Sequence, residues 1–122
     1  MQPSERFPRR GEIWFVELPT DLPGKNRRPV VVVSLDARNR HPRASTVLVA
    51  PLTTSIHVEA PTHVLLPSGE TGLPADSAAR AEDITVVRKS SLIPPHSRLR
   101  QLSGGRVCEI AEKTVLAMGC LR

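Results

Sequence analysis

The sequence predicts a mainly β fold, a small and partly closed antiparallel β-barrel that is followed by one C-terminal amphipathic helix. Prolines and glycines divide the first two thirds of the 122 residues into short apolar runs, a pattern typical of strands joined by turns. Helical spacing occurs only in the last third, and strands do not alternate with helices, which disfavours a parallel sheet. A chain of this length forms one domain around one core.

The first two predicted strands flank a long loop. The stretch "RGEIWFVELP", Arg10 to Pro19, alternates its apolar residues and stops at a proline, as a buried strand does. The next stretch, "PTDLPGKNR" (residues 19–27), has no apolar period and predicts a loop. The second strand begins at Pro29, which has no N–H to donate, and runs through Val33. Its continuous β-branched residues indicate burial on both faces.

Three more strands are predicted before the helix. The run "ASTVLVAPLTTS" (residues 44–55) changes at Pro51 into small hydroxyl residues, which marks the end of a strand or a bulge. A shorter run, "THVLLP" (residues 62–67), precedes the turn "SGETGLP". We interpret "DSAARAEDITVV", residues 76–87, as one strand of small and then β-branched residues.

The final element is a predicted helix over about residues 104–120. It follows the sequence "SGG", and Glu109 and Lys113 stand four residues apart on it. Its apolar face is formed at helical spacing by Val107, Ile110, Ala111, Thr114 and Met118.

The two cysteines give no sign of a disulfide or of a metal site. Cys108 and Cys120 fall in the same predicted helix, where twelve residues correspond to about 18 Å of rise, too far for a disulfide between them. With no further cysteine nearby, the sequence predicts neither structural zinc nor any other metal or cofactor.

The charge balance favours a polyanionic partner. Seventeen basic residues, fourteen of them arginine, face twelve acidic ones, for a net charge of +5. Arginine suits bidentate contact with phosphate, so nucleic acid or a strongly acidic protein is the expected partner. No stretch reaches the ~20 apolar residues of a membrane span, and residues 1–10 lack the apolar core of a signal sequence. We therefore expect a cytoplasmic protein with no membrane partner.

Positive charge gathers where the second strand begins. Lys25, Arg27 and Arg28 stand directly before Pro29 and the valines. Because Arg28 precedes a proline, its backbone is pushed toward extended geometry, and its side chain leaves a stiff strand end. From the residues alone, this group is either a solvated charge cluster at a loop end or a set of cations that binds phosphate.

The order of these elements resembles the MazF/PemK family of toxin endoribonucleases over residues 10–92. The resemblance lies in "RGEIWFVEL", "RRPVVVVS", "STVLVAPLTTS" and "GLPADSAARAEDITVVRKSSL", and above all in the arginine-proline pair and the "APLT". It implies an SH3-like barrel, usually a homodimer, of a type II toxin-antitoxin system. Such toxins cleave single-stranded RNA at short sequences without metal. Their substrate is mRNA, with rRNA and tRNA as further candidates, and an acidic antitoxin inhibits them.

The resemblance also implies catalytic roles for two residues. The family's catalytic arginine corresponds to Arg28, and its threonine corresponds to Thr53 of "APLT". The implied reaction is attack of an RNA 2′-hydroxyl on the adjacent phosphorus, which leaves a cyclic phosphate and a 5′-hydroxyl. A guanidinium keeps its proton, so Arg28 is suited to stabilise the phosphorane, while Thr53 donates its hydroxyl hydrogen to a phosphate oxygen.

The residue that takes the 2′-hydroxyl proton stays open. Related toxins often carry a glutamate in the loop before the arginine, whereas here Asp21 is the only carboxylate of that loop and lies further from Arg28. His57, which closely follows Thr53, is the second candidate, because histidine is the usual acid or base of such chemistry. The alternative for His57 is a solvated loop residue.

Further residues are expected to bind RNA or the antitoxin. Asp83 stands where the family commonly has a glutamine, a difference that would alter base recognition. The other candidates belong to the two loops that flank the site: Lys25, Asn26, Arg27, Thr54 and Ser55.

Two other classes of protein fit the same predicted fold. CcdB-like toxins share it and poison DNA gyrase by binding, and a non-catalytic barrel would only hold nucleic acid or peptide. The Arg28 and Thr53 pair favours RNA cleavage over gyrase poisoning, and the non-catalytic barrel is distinguished by shifting RNA on a gel without shortening it.

Overall fold

A computed structural model describes residues 6–17 and 27–120 of the chain. The strands are β1 Ile13–Glu17, β2 Arg27–Val32, β3 Thr46–Thr53, β4 His63–Leu66, β5 Ser77–Arg80 and β6 Thr85–Arg88. The α-helices are α1 Asp36–Asn39, α2 Ser68–Thr71 and α3 Gly104–Ala117, and 3₁₀ turns span Ala81–Asp83 and Lys89–Ser91. Within these described ranges, none of the helices is both long and apolar enough to cross a bilayer.

Strand β3 organises the antiparallel sheet. On one side it pairs with β2, which in turn pairs with β1. On its other side, the first half of β3 pairs with β6 and the second half with β5, which continues to β4. The pairs Val49↔Thr85 and Leu52↔Ala79 differ in register by the three residues of the turn Ala81–Asp83. This turn therefore bulges out of the sheet beside the end of β3.

The prediction of one strand over residues 76–87 was wrong, because the turn Ala81–Asp83 divides it into β5 and β6. Ala81 is fully buried, and its carbonyl accepts a hydrogen bond from Thr114 Oγ1 of α3 at 3.1 Å. The contact with the helix fixes the break, and a contact between distant segments is invisible in local sequence. The short helices α1 and α2 were also missed, and α2 lies in the predicted turn "SGETGLP".

The barrel is only loosely closed. The strand order is that of an open sheet, β1-β2-β3-β5-β4 with β6 beside β3. Beyond β6 the chain returns to β1 through a single bridge, in which Phe15 and Ile93 exchange two backbone hydrogen bonds of 3.0 and 2.8 Å. The predicted antiparallel fold with a C-terminal helix is confirmed, but its strands alone do not close into a barrel.

Alternation along the strands separates two apolar clusters on opposite faces of the sheet. We call one the helix face, because α3 covers it; its members include Ile13, Val31, Ala50, Leu52, Val107 and Ile110. We call the other the groove face; its members are Trp14, Val16, Val30, Val32, Val47, Val49 and Leu92. The predicted burial of the second strand on both faces is confirmed by Val30, Val31 and Val32, which are at most 3% exposed.

Helix α3 is capped and packed as its sequence suggests, but it ends early. Ser103 Oγ accepts a hydrogen bond from the backbone N–H of Arg106 at 3.2 Å, as an N-cap does. Val107 and Ile110 are buried, whereas two residues of the predicted apolar face are exposed, Ala111 and Met118, the latter by 69%. The helix ends at Ala117 rather than near residue 120, just before Gly119 takes a left-handed φ of 76°.

An ion pair joins α3 to α2. Arg106 donates to both carboxylate oxygens of Glu70, at 2.7 and 2.9 Å, and to Glu109 Oε1 at 2.9 Å. The hydrogen bond from Arg106 lowers the pKa of Glu70 below its ordinary 4.5, against the opposing effect of burial. Both partners remain about 30% exposed, so the pair positions the helix more than it stabilises the fold.

Candidate active site

The register of the sheet places Arg28 and Thr53 on the same face. Val30 of β2 pairs with Pro51 of β3, and continuing this register by two residues sets Arg28 opposite Thr53. Alternation puts Arg28 on the side of Val30, and Thr53 on the side of Val49, so both side chains belong to the groove face. The two predicted catalytic residues, 25 positions apart in the chain, are neighbours in space.

A concavity of about 250 Å³ lies between them, and we call it the catalytic groove. Its polar rim includes Arg28, Thr53, Arg80 and Asp83. Its floor is apolar and includes Val16, Val30, Val49 and Val87. A floor of this kind lowers the local dielectric, which strengthens the field of a cation at the rim.

A second concavity of about 520 Å³ adjoins the catalytic groove, since Thr53 and Arg80 line both. We call it the histidine pocket; its other members include Ser55, His57, Glu59, His63 and Glu82. Thr53 therefore stands at the boundary between an arginine-lined space and a histidine-lined space.

Thr53 is held in place by the turn that follows β3. Its Oγ1 accepts a hydrogen bond from the backbone N–H of Ser55 at 3.0 Å, and the hydroxyl keeps its own hydrogen for a further acceptor. Ser55 lines the histidine pocket, whereas Thr54 lines a separate apolar groove with Phe15 and Pro29. Thr54 and Ser55 therefore line different grooves, although both were predicted to bind RNA or the antitoxin.

His57 and His63 face each other across the histidine pocket, with ring centroids 6.1 Å apart. His57 is 60% exposed, and its Nδ1 lies 3.7 Å from Glu59 Oε1. His63 is only 10% exposed, and its Nε2 lies 3.4 Å from Glu82 Oε2. Among the described residues, nothing hydrogen-bonds to the buried Nδ1 of His63.

Arg80 and Glu82 were not predicted as site residues, whereas their neighbour Asp83 was. Arg80 Nη2 lies 2.9 Å from Asp83 Oδ2, and its Nε lies 3.7 Å from Glu82 Oε2. Desolvation alone would raise the pKa of Glu82, but hydrogen bonds from its own backbone and from Thr62 lower the pKa, helped by His63 and Arg80. A single arginine among small strand residues, two positions before a carboxylate, was the signal available in the sequence.

The other residues predicted to belong to the site include two that the structure describes and three that it does not. Asp83 is half-buried at the rim of the catalytic groove, beside Arg28 and Thr53. Arg27 is exposed at the start of β2, paired with Glu17 of β1. Asp21, Lys25 and Asn26 lie outside the described residues. In residues 6–17 and 27–120, no three or more histidine, cysteine or acidic side chains cluster as metal ligands would.

Comparison with known proteins gives concordant matches. The profile of a family described as "PemK-like, MazF-like toxin of type II toxin-antitoxin system" matches residues 9–117. The Mycobacterium tuberculosis protein named endoribonuclease MazF9 is 38% identical in an alignment of 96 positions that covers 75% of this chain and 81% of that protein. Probable endoribonuclease MazF5 of the same organism is 35% identical over 95% of this chain and 97% of its own.

Solved structures match over nearly the whole chain. A mycobacterial endoribonuclease in complex with its cognate antitoxin has a TM-score of 0.70 at 26% identity, covering 94% of this chain and 98% of that one. MazF from Deinococcus radiodurans also has a TM-score of 0.70, covering 93% of this chain and 98% of that one, and its 19% identity speaks for the fold alone.

Proposed function

This chain is a member of the PemK-like, MazF-like family of type II toxin-antitoxin toxins, and we propose from that premise that it is an endoribonuclease. Its substrate is single-stranded RNA, mRNA first, with rRNA and tRNA as further candidates. It cuts at short recurring sequences and needs no metal. The observation that carries the proposal is that Arg28 and Thr53 share the rim of one groove.

The proposed reaction is an intramolecular transfer at phosphorus. The 2′-hydroxyl loses its proton, its oxygen bonds to the adjacent phosphorus, and the bond to the 5′-oxygen breaks. The products are a 2′,3′-cyclic phosphate and a 5′-hydroxyl, which takes up a proton. Arg28 neutralises the charge that builds on the phosphorane, and Thr53 orients a non-bridging oxygen with its hydroxyl hydrogen.

Two residues remain candidates for the base. His57 belongs to the histidine pocket, which Thr53 also lines, so a phosphate held by Thr53 would lie near its ring. Asp21 belongs to residues that the structure does not describe. The position of His57 beside Thr53 supports it as a candidate.

The same groove is suited to an inhibitor. An acidic tail that folds on binding would place its carboxylates where RNA phosphates bind, and Arg28 would pair with either. The mycobacterial endoribonuclease with a similar structure was solved in complex with its cognate antitoxin. We propose an acidic antitoxin as the partner of this chain, with a cytoplasmic homodimer as the active form.

The test is cleavage of a long single-stranded RNA of mixed sequence in the presence of EDTA. We expect cuts at one short recurring sequence, with cyclic phosphate ends, and their loss in Arg28→Ala and in Thr53→Ala. Arg88→Ala is the matched control, because Arg88 is an exposed strand-end arginine at the opposite end of β3, across from Thr46. Intact RNA with the wild-type protein would overturn the proposal.

The rival functions give different results with the same material. A gyrase-binding toxin would leave RNA intact and inhibit DNA supercoiling. A non-catalytic barrel would shift RNA on a gel without shortening it, and Thr53→Ala would keep its affinity.

A further inference from the structure

A third concavity, of about 430 Å³, lies at the end of the sheet away from the catalytic groove, and we call it the distal pocket. Part of its lining follows the ends of β2 and β6, at the end of β3 where Thr46 pairs with Arg88. Thr53 stands at the other end of β3, about 23 Å away along the strand. The lining of the distal pocket includes Arg6, Phe7, Trp14, Asn39, Arg40 and Lys89.

The charges that line the distal pocket are all of one sign. Three cations, Arg6, Arg40 and Lys89, share it, and among the described residues no carboxylate lines it with them. The catalytic groove and the histidine pocket differ, because each has at least one carboxylate beside its arginine. Like charges around one concavity repel each other, and an anion placed between them relieves that repulsion. The distal pocket therefore favours a negatively charged ligand.

Arg6 is held in place from outside the pocket. Its Nη2 donates to Glu12 Oε2 at 3.1 Å, and its guanidinium lies 5.3 Å from the centre of the Trp14 ring. Glu12 is fixed in turn, because its Oε1 accepts from Trp14 Nε1 at 3.0 Å and from the backbone N–H of Arg9 at 2.8 Å. The side chain of Arg6 is still 48% exposed, so other N–H groups of a positioned cation face solvent.

The other two cations belong to segments that are tied together. Lys89 Nζ donates to the backbone carbonyl of His41 at 3.2 Å, next to Arg40 in the chain. An ammonium has three N–H donors, so Lys89 can also contact a ligand. Arg40 is exposed, and among the described residues its guanidinium makes no hydrogen bond or ion pair. Lys89 and Arg40 are therefore both available to an anion in the pocket.

The chemistry of the lining matches a nucleotide phosphate. A guanidinium presents parallel N–H groups to two phosphate oxygens, and an ammonium adds a compact charge. Phe7 lines the same pocket and gives the base or sugar beside the phosphate an apolar surface. An RNA held at Thr53 has to leave the catalytic groove at both ends, and a strand of several nucleotides spans the length of β3.

We propose that the distal pocket binds a backbone phosphate of the RNA substrate several nucleotides away from the cut. The proposal rests on the endoribonuclease function and extends its binding site to the opposite end of the sheet. The pocket takes no part in the chemistry. It lowers the Kd of an RNA that is long enough to reach it and leaves the Kd of a shorter one unchanged.

The first test compares the Kd of two RNAs, each with a 2′-deoxy residue that blocks the cut. One RNA covers only the cleaved sequence, and the other extends it on both sides. For the long RNA, we expect Arg40→Ala and Lys89→Ala each to raise Kd about fivefold at low salt and to flatten the logarithmic salt dependence by about one unit. The short RNA should bind all proteins equally.

Arg88→Ala is the matched control of this test. Arg88 directly precedes Lys89 and carries the same charge, but it follows Val87 of the groove face and so points to the other face of the sheet. Its loss should leave the Kd of both RNAs unchanged, and thermal melting of each variant establishes that it is folded. Unchanged affinity for the long RNA in Arg40→Ala and Lys89→Ala, or equal weakening for both RNA lengths, would overturn the proposal.

A second test separates the sources of negative charge. Inorganic phosphate, ATP and an oligoglutamate peptide are titrated into the wild type and Arg40→Ala by calorimetry. Weaker binding of ATP together with weaker binding of the long RNA supports a phosphate site for RNA. If Arg40→Ala weakens ATP, phosphate or the peptide but not the long RNA, the pocket belongs to a free anion or an acidic polypeptide, and the proposal is wrong.

Cleavage measurements keep the two proposals apart. On a cleavable long RNA with EDTA present, Arg40→Ala should raise KM and leave kcat unchanged. Wild-type protein that leaves all RNA intact would refute the endoribonuclease function itself. Normal cleavage with the same KM in the wild type and Arg40→Ala would refute the distal pocket alone.

Discussion

The helix face and the groove face of the central sheet are built from the same types of apolar residue but have different surroundings. On the helix face, Val31 and Ala50 lie under α3, and the ion pair of Glu70 with Arg106 holds the helix in place. On the groove face, Val30 and Val49 form the floor of an open concavity with charged residues at its rim.

Strand β2 contributes both to the apolar core and to the proposed active site. Val30, Val31 and Val32 are buried on alternating faces of β2, while Arg28 of the same strand reaches the groove. The strand is rigid because both faces are packed, and Arg28 inherits that rigidity. Changes at the polar rim of the catalytic groove should therefore reduce catalysis and leave stability alone, and changes in the buried core of the helix face should do the reverse.

The largest effect is expected at Arg28. Replacing it with alanine removes charge stabilisation of the phosphorane, so the cleavage rate should fall about 10²- to 10³-fold. The melting temperature should stay near that of the wild type, since Arg28 is exposed. Single-turnover cleavage and a thermal melt provide both values. A variant that loses activity only because it unfolds would contradict the different roles of the two faces.

The opposite result is expected at Ile110. This residue is fully buried between α3 and the sheet, and Ile110→Ala should cost about 2–4 kcal/mol of unfolding free energy. The cleavage rate per folded molecule should stay unchanged. Urea unfolding measures the first quantity, and activity corrected for the folded fraction measures the second. Ile110→Val, which costs about 1 kcal/mol, provides a milder version if the alanine variant does not fold.

At Thr53, two substitutions separate the contribution of the hydroxyl from the contribution of the side-chain shape. Thr53→Val keeps the β-branched form but loses the donor, and we expect cleavage to slow about 10- to 100-fold. Thr53→Ser keeps the hydroxyl and should retain most of the rate. The measurement is the cleavage rate of each variant on one substrate whose cut site has been mapped. Equal rates would show that Thr53 contributes only to the strand.

Arg27 should affect binding rather than chemistry. It is exposed at the start of β2, next to Arg28, and Arg27→Ala should weaken RNA binding across sequences. Its loss should also flatten the logarithmic salt dependence of affinity by about one unit. The measurement is a titration of an uncleavable 2′-deoxy substrate at several salt concentrations. An unchanged slope would remove Arg27 from the interface.

The smallest effect is expected at Glu70, and it depends on pH. Because the folded-state pKa of Glu70 is depressed, its contribution is present above its ordinary value of 4.5 and is lost as pH falls through the lower folded value. Glu70→Gln should cost about 1 kcal/mol or less at pH 7, and the difference from the wild type should vanish in acid. Urea unfolding at both pH values tests this. A difference that persists in acid would contradict it.

The sequence predicted what local pattern can encode. The valines of β2 and the start of α3 followed from apolar periodicity, and the pairing of Arg28 with Thr53 followed from the resemblance to the MazF/PemK family. The break at Ala81–Asp83 did not, because it depends on burial of Ala81 against Thr114 of α3. Arg80 was missed for the same reason, since only the pairing of β5 with β3 brings it to Thr53.

The most direct test of the division of roles between the two faces is the cleavage rate of single-stranded RNA in EDTA, measured side by side for the wild type, Arg28→Ala and Ile110→Val. The folded fraction of each protein is determined in parallel. We predict that Arg28→Ala stays folded and loses cleavage, whereas Ile110→Val loses stability and cleaves at the wild-type rate per folded molecule. Wild-type cleavage by a folded Arg28→Ala would contradict the assignment of chemistry to the groove face.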